Sequence, residues 1–247
     1  MKIQRGFFKL SLVLSLIFVS LASFAGARDT LEIVHGRRVH AGENYSKHTV
    51  GLGESQVVCT GVIVGAHHVI TAGHCTEDVQ HGKIYFGTDS SNFQSRNVIK
   101  ATLNPDYCKN DCGTLTSKDD HDILVLKFDG DLPAGFEPVD IAVKEKLAAN
   151  TSIHLVGFGI DENGRYDESL KVAQAPFTAF NGESEFRTDE TQAGSCNGDS
   201  GGPAFISENG QLHLAGITSR GDGPCRQLGI YTMVSYFSAW LTEVMHR

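Results

Sequence analysis

The sequence is short of several things, and each shortage removes a class of function. Cations are in deficit: 21 Lys and Arg face 29 Asp and Glu, for a formal net charge of −8. A chain of that sign repels phosphate backbones and offers no basic patch for nucleic acid. There is no H-E-x-x-H, and the 11 histidines are scattered, so the common helical zinc-protease pattern is excluded. No second ligand pair of recognisable spacing accompanies Cys108-x-x-x-Cys112. A half metal site there with His121 is the one metal alternative, and no metal or other cofactor is expected. No repeat or low-complexity tract is present, which excludes solenoids. The apolar runs are not separated by helical periods. At 247 residues the chain is one large domain or two small lobes, ample for a real core.

Residues 1–27 read as a signal peptide. Lys2, Arg5 and Lys9 form its positive start, Leu10 to Phe24 its apolar stretch, and Ala25-Gly26-Ala27 its cleavage site. A membrane anchor is the alternative, but the apolar run is short for a bilayer. Removing these three cations takes the formal charge from −8 to −11. The mature chain is thus expected to be secreted (extracellular, or periplasmic in a bacterium), free of membrane and monomeric. All 6 cysteines follow this segment, and an even number in an exported chain suggests disulfides. Asn44-Tyr45-Ser46 and Asn150-Thr151-Ser152 are glycosylation sequons.

Short β-branched runs recur between turn residues. They include Gly61 to Val64, His68 to Ile70, Lys83 to Phe86, Ile123 to Phe128, Ile153 to Val156 and Leu212 to Ile217. Strands this short and frequent predict an all-β sandwich or barrel. One helix is expected, in Val234 to His246. There Tyr236, Phe237, Trp240, Leu241 and Val244 recur at three- and four-residue steps. Trp240, the sole tryptophan, reads as a packing anchor.

The most informative stretch is Cys196-Asn197-Gly198-Asp199-Ser200-Gly201-Gly202-Pro203. A nucleophilic serine must project from a tight turn, face backbone N–H donors and lie near a base. Glycines on both sides of Ser200 permit the backbone angles that such a turn needs. Asp199, an acid among small residues, calls for a cationic partner. Two further clusters stand upstream, Thr71-Ala72-Gly73-His74-Cys75 and His121-Asp122-Ile123-Leu124-Val125. The three stretches, in this order, resemble the serine, histidine and aspartate motifs of the chymotrypsin/trypsin-like serine proteases. The resemblance runs from about Ile33 to the C-terminus.

That resemblance implies two six-stranded antiparallel β-barrels with a C-terminal α-helix, joined by a crossover at about 129–149. It implies a serine endopeptidase acting on polypeptides through an acyl-enzyme, with protein protease inhibitors as further partners. Ser200 would be the nucleophile, His74 the base and Asp122 the acid that orients it. The N–H groups of Gly198 and Ser200 would form the oxyanion hole. Asp119 and Asp120, beside Asp122, read as surface acids. Ile33-Val34-His35-Gly36 resembles the family's mature N-terminus, making 28–32 a short propeptide. The new amino group of Ile33 would pair with Asp199. Cys59 with Cys75 and Cys196 with Cys225 match family disulfides, which leaves Cys108 and Cys112 as a third pair. The family's calcium loop has no match in 87–99. Phe158 stands where the family commonly has tryptophan.

For substrate binding the resemblance points to Gly194 at the pocket floor, Ser195 beside it, Ser219 and Gly221 on the substrate strand, and Gly229 in the wall. With glycine at the floor, the pocket is expected to take large hydrophobic side chains. Arg or Lys is the alternative, drawn by Asp222 at the rim. Arg220 replaces the usual tryptophan and leaves the next subsites open. Two rival functions exist. An α/β-hydrolase elbow would need Asp222 and His246 as its acid and base, but 201–247 is too short for that fold's later units. A binding module would normally have lost a member of the triad, and all three residues are present.

Overall fold

The computed structural model describes residues 33–108 and 112–246. The expected signal peptide and propeptide lie outside the described residues. Six strands form a first barrel: β1 (Thr49–Gly53), β2 (Cys59–Gly65), β3 (His68–Thr71), β4 (Lys83–Phe86), β5 (Gln94–Leu103) and β6 (Leu124–Phe128). They close in the order β1-β2-β3-β6-β5-β4. Six more form the second: β7 (Ser152–Gly157), β8 (Lys171–Phe180), β9 (Glu185–Asp189), β10 (Pro203–Glu208), β11 (Gln211–Gly221) and β12 (Leu228–Met233). Their antiparallel pairings close as β7-β8-β9-β12-β11-β10, the same order as the first lobe. Closure leaves neither lobe an open edge. The connection between the barrels carries a short strand, Asp140–Ile141, that pairs in parallel with β11.

Period-two alternation explains where the core sits. On β6, Leu124, Leu126 and Phe128 point into the first barrel with Ile63, Val69, Ile84 and Phe86. Val125 and the preceding Ile123 point the other way, into a second cluster with Val156, Phe158, Phe205 and Leu214 from the other lobe. That shared cluster glues the barrels together. Ile153, Phe177, Phe186, Ile206 and Tyr231 fill the second barrel. Each fully buried large side chain contributes about 1.5–3 kcal/mol.

Among the described residues there are three α-helices: α1 (Asn44–His48), α2 (Thr76–Val79) and α3 (Ser238–Met245). A 3-10 turn at Val234–Phe237 leads into α3. Val234, Phe237, Leu241 and Val244 are buried in the inter-lobe cluster, and Trp240 packs on it. Tyr236 departs from the expected apolar face and is 46% exposed, because the 3-10 turn rotates it away.

Candidate active site

β3 delivers the chain into a 3-10 turn, Gly73–Cys75, that carries His74. A disulfide from Cys75 to Cys59 ties this turn to β2. Asp122 lies just before β6 and is 3% exposed. Its Oδ2 is 2.9 Å from His74 Nδ1, and its Oδ1 accepts from the His74 backbone N–H at 2.8 Å. Ser219 Oγ donates to the same Oδ2 at 2.6 Å, and Thr232 Oγ1 donates to the Asp122 carbonyl at 3.0 Å. Gly73 makes room for this acid: a Cβ there would stand 3.1 Å from Asp122 Oδ1. Burial pulls the His74 pKa down, but the hydrogen bond and charge of Asp122 outweigh it, and the net shift is upward from 6.5. Burial likewise pushes Asp122 up, and its bonds to His74 and Ser219 hold it below the ordinary value.

The serine turn comes from the other lobe. Gly198 has φ 95° and Gly201 φ 77°, the left-handed region that favours glycine. A Cβ on Gly201 would stand 1.8 Å from Thr71 Oγ1. The amides of Asp199, Gly201 and Gly202 are taken up by the carbonyls of Cys196, Thr218 and Asp199. Among the described residues no acceptor is recorded for the N–H of Gly198 or Ser200. Ser200 lines a cavity of about 240 Å³ with Ser195, Ser219, Arg220, Gly221 and Asp222. An adjoining cavity of about 230 Å³ is lined by His74, Asp122, Ser219 and Arg220. Ser219 and Arg220 thus belong to both, which brings the serine and the His–Asp pair to one cleft.

A family model described as Trypsin matches residues 33–241, most of the chain. The chain belongs to the trypsin family. Mouse kallikrein-1 is 32% identical over 76% of this chain and 80% of its own length. Trypsin-1 of the crayfish Astacus astacus is 29% identical over 77% of this chain and 89% of its own. Clotting factor C of Tachypleus tridentatus is 27% identical over 75% of this chain, which spans 22% of that longer protein. The protein is a chymotrypsin/trypsin-like serine endopeptidase with three disulfides, Cys59–Cys75, Cys108–Cys112 and Cys196–Cys225. Its substrates are polypeptides.

In this trypsin-family chain Asp199 is 1% exposed. Gly159 N and Cys196 N donate to its two oxygens at 2.8 Å each. Gly157 and Gly159 press against the carboxylate; a Cβ on either would meet an Asp199 oxygen within 2.4 Å. Burial pushes the Asp199 pKa up to about 6, against those amide bonds and the more distant charge of Lys171. The Lys171 ammonium, fully buried, is committed to Gly159 O and Asp167 Oδ1 at 2.8 Å. Ile33 is fully buried and Val34 bridges to Gly194.

Of the expected pocket residues, Ser195 and Gly221 line the cavity with Ser200, and Gly221 pairs with Gly229 between β11 and β12. Gly194 and Gly229 lie just behind, each facing the carboxylate of Glu190, a residue that sequence reasoning missed. Asp222 lines the same cavity as Ser200. Its oxygens accept from the N–H groups of Arg226, Gln227 and Leu228, so it staples the 222–228 loop. Asp120 is corrected: it is buried, not on the surface, and stands 3.3 Å from Arg220. Asp119, partly exposed, also caps a turn, accepting from the N–H groups of Glu183 and Ser184.

Arg220 turns into the protein. Its guanidinium binds both oxygens of Glu185 and the carbonyls of Thr114 and Ser117. Thr60, fully buried on β2, was also missed. Its Oγ1 donates to Gly198 O at 2.9 Å and accepts from Phe158 N at 3.1 Å, while its N–H donates to Ser200 O at 2.8 Å. One first-lobe residue therefore fastens two turns of the second lobe. No local pattern marks it, because its partners lie about 100 residues or more away.

Proposed function

We propose that this trypsin-family chain is a secreted endopeptidase whose triad is Ser200, His74 and Asp122. The observation that carries the reading is the buried Asp122 carboxylate, held by Ser219 and bonded to His74 Nδ1. With its proton on Nδ1, the imidazole keeps a lone pair on Nε2 for the serine hydroxyl. Ser200 Oγ attacks the substrate carbonyl carbon as its proton passes to Nε2. The oxyanion is received by the N–H groups of Gly198 and Ser200. Collapse breaks the C–N bond, and the leaving amine takes the proton from Nε2. Water then repeats the sequence and releases the acid. Losing one oxyanion donor typically costs about 3–4 kcal/mol of transition-state stabilisation.

Residues 1–27 act as the export signal and 28–32 as the propeptide in this reading. Cleavage after Glu32 frees the Ile33 amine, which becomes the counter-ion that Asp199 otherwise lacks. Removal of an acidic-ended propeptide calls for an activator other than trypsin. Protein inhibitors are further partners, and the mature chain works as a monomer. For the residue before the scissile bond, sequence reasoning favours large hydrophobic side chains, with Arg or Lys as the alternative. The test is labelling with a fluorophosphonate together with hydrolysis of a casein substrate. Mature wild type is expected to label and to cleave, and Ser200→Ala to do neither while keeping its circular dichroism. A Ser200→Ala protein with wild-type turnover overturns the assignment.

A further inference from the structure

The floor position of the primary pocket, Gly194, carries no side chain, yet the space behind it is not apolar. Glu190 follows β9 and folds back so that its carboxylate lies between the two bare positions. A Cβ on Gly194 would stand 2.3 Å from Glu190 Oε2, and a Cβ on Gly229 1.9 Å from Oε1. The carboxylate therefore fills the space that side chains at those positions would occupy. It is 2% exposed. Oε1 accepts from Thr188 Oγ1 at 2.8 Å and from the Tyr231 hydroxyl, and Oε2 accepts from Ser195 N at 2.9 Å. Ser195 Oγ, which lines the cavity below Ser200, is 3.3 Å from Oε2 and 3.0 Å from Tyr231 Oη.

Every one of these partners is a hydroxyl or an amide. Among the described residues no Lys, Arg or His pairs with Glu190. Burial without a counter-ion pushes its pKa up to about 7, against the opposing hydrogen bonds. A buried carboxylate with donors on its sides and no cation is complementary to one kind of guest: a cationic group at the end of a long side chain entering past Ser200. Asp222 also lines this cavity as an anion, but its oxygens are already engaged by the loop's own amides, whereas the Glu190 carboxylate stands behind the floor positions.

We propose that Glu190 sets the primary specificity of this protease, selecting Lys or Arg before the scissile bond from a position other than the glycine floor. The ammonium or guanidinium donates to Ser195 Oγ and lies one hydrogen bond from the Glu190 carboxylate. The low dielectric under the floor strengthens that attraction relative to a solvent-exposed acid. This inference rests on the endopeptidase reading, and its test separates the two.

The first measurement is kcat/KM on matched peptides that differ only in Lys, Arg, Phe or Leu before the cleaved bond. Wild type is expected to favour Lys or Arg at least tenfold. Glu190→Gln is expected to lower the Lys and Arg values tenfold or more while Phe and Leu change by less than threefold. A wild-type preference for Phe or Leu, or an unchanged ratio in Glu190→Gln, overturns the proposal.

The second measurement needs neither turnover nor the Glu190 variant. Benzamidine and its neutral isostere benzamide are titrated calorimetrically into mature His74→Ala protein from pH 5.5 to 8.5. Tyr231 faces Glu190 and stays neutral there, its pKa raised by burial and by Glu190 itself. Asp222, which also lines the cavity, stays charged because its pKa is lowered by the loop's backbone N–H groups. Asp199 titrates near 6 when unpaired and is present for both ligands. Benzamidine affinity is expected to rise at least fivefold through about pH 7, where Glu190 ionises, and benzamide affinity to stay flat. A flat benzamidine curve refutes the cationic pocket even if peptides are cleaved. A rising curve in a protein whose wild type cleaves nothing supports the pocket and removes the protease reading instead.

Discussion

Arg220 and Glu185 are joined by two parallel hydrogen bonds, Nη1 to Oε1 at 2.8 Å and Nη2 to Oε2 at 2.9 Å. Glu185 is fully buried and the Arg220 side chain 8% exposed. A strand residue that borders the substrate cleft is thereby anchored to β9. At this position, where the resemblance leads one to expect tryptophan, Arg220 serves as an internal strut. Arg220→Met is expected to destabilise the protein by about 3–5 kcal/mol, because it strands a buried carboxylate. Arg220→Lys is expected to recover less than half of that, since an ammonium cannot span both oxygens. Urea unfolding of the three proteins checks both values.

The His74 pKa is raised, with the Asp122 bond and charge overcoming burial. Activity that needs neutral His74 is therefore expected to rise with pH around a midpoint above 6.5. Asp122→Asn removes the two larger raising causes and leaves burial opposed only by the smaller effect of the Asp78 charge, so the midpoint is expected to fall. NMR of the imidazole in Ser200→Ala backgrounds reads the shift without turnover. In Ser200-intact protein the same substitution is expected to cut kcat by roughly 10⁴-fold, a magnitude taken from the Ser-His-Asp proteases of this same family and not from this chain.

Asp199 makes the precursor's stability pH-dependent. Its folded pKa is raised from 3.8 to about 6 by burial. The folded chain thus holds the proton more tightly than the unfolded chain. The resulting support is full below about pH 4 and is lost as pH rises through 6. A carboxyl displaced that far contributes about 3 kcal/mol at most. A mature chain beginning at Ile33 has the counter-ion and is expected to lack this slope. Glu190 is raised in both forms and cancels in the difference. Urea midpoints of the precursor and mature Ser200→Ala proteins from pH 4 to 7 are expected to diverge; parallel curves would reject the Ile33–Asp199 pairing.

Gly201→Ala tests the serine turn. The added methyl meets Thr71 Oγ1 at 1.8 Å and Ala72 N at 2.6 Å, in a residue with φ 77°. Strain in that region alone costs about 1–3 kcal/mol. The variant is expected to lose stability by more than about 2 kcal/mol and to lose fluorophosphonate labelling, both read on one preparation. Gly210→Ala has open space around it at φ 82° and is expected to cost only the strain.

Much of this was legible in the sequence, and the gaps have causes. Strands with a buried face, such as Lys83–Phe86 with one and Leu124–Phe128 with two, announce themselves by apolar or alternating residues. Gln94–Leu103 does not, because it is polar and largely exposed along its length. The helices at Asn44–His48 and Thr76–Val79 are too short to build a period. His74, Asp122 and Ser200 stand out because each sits in its own short motif. Glu190, Thr60 and Arg220 act through partners remote in sequence, and no local spacing encodes such contacts. One signal for Glu190 was present: a bare glycine at the floor with an unassigned acid four residues before it.

The two barrels are each closed on themselves, and Ser200 rides on one while His74 rides on the other. Thr60 and the shared apolar cluster are the seam between them. A shear of about one ångström along that seam would separate the proposed nucleophile from its proposed base without breaking a single strand pairing, and misplacements of that size cost about 10²-fold in rate. On heating, activity is therefore expected to be lost by a slip between two intact bodies, at a lower temperature than the circular dichroism of the strands.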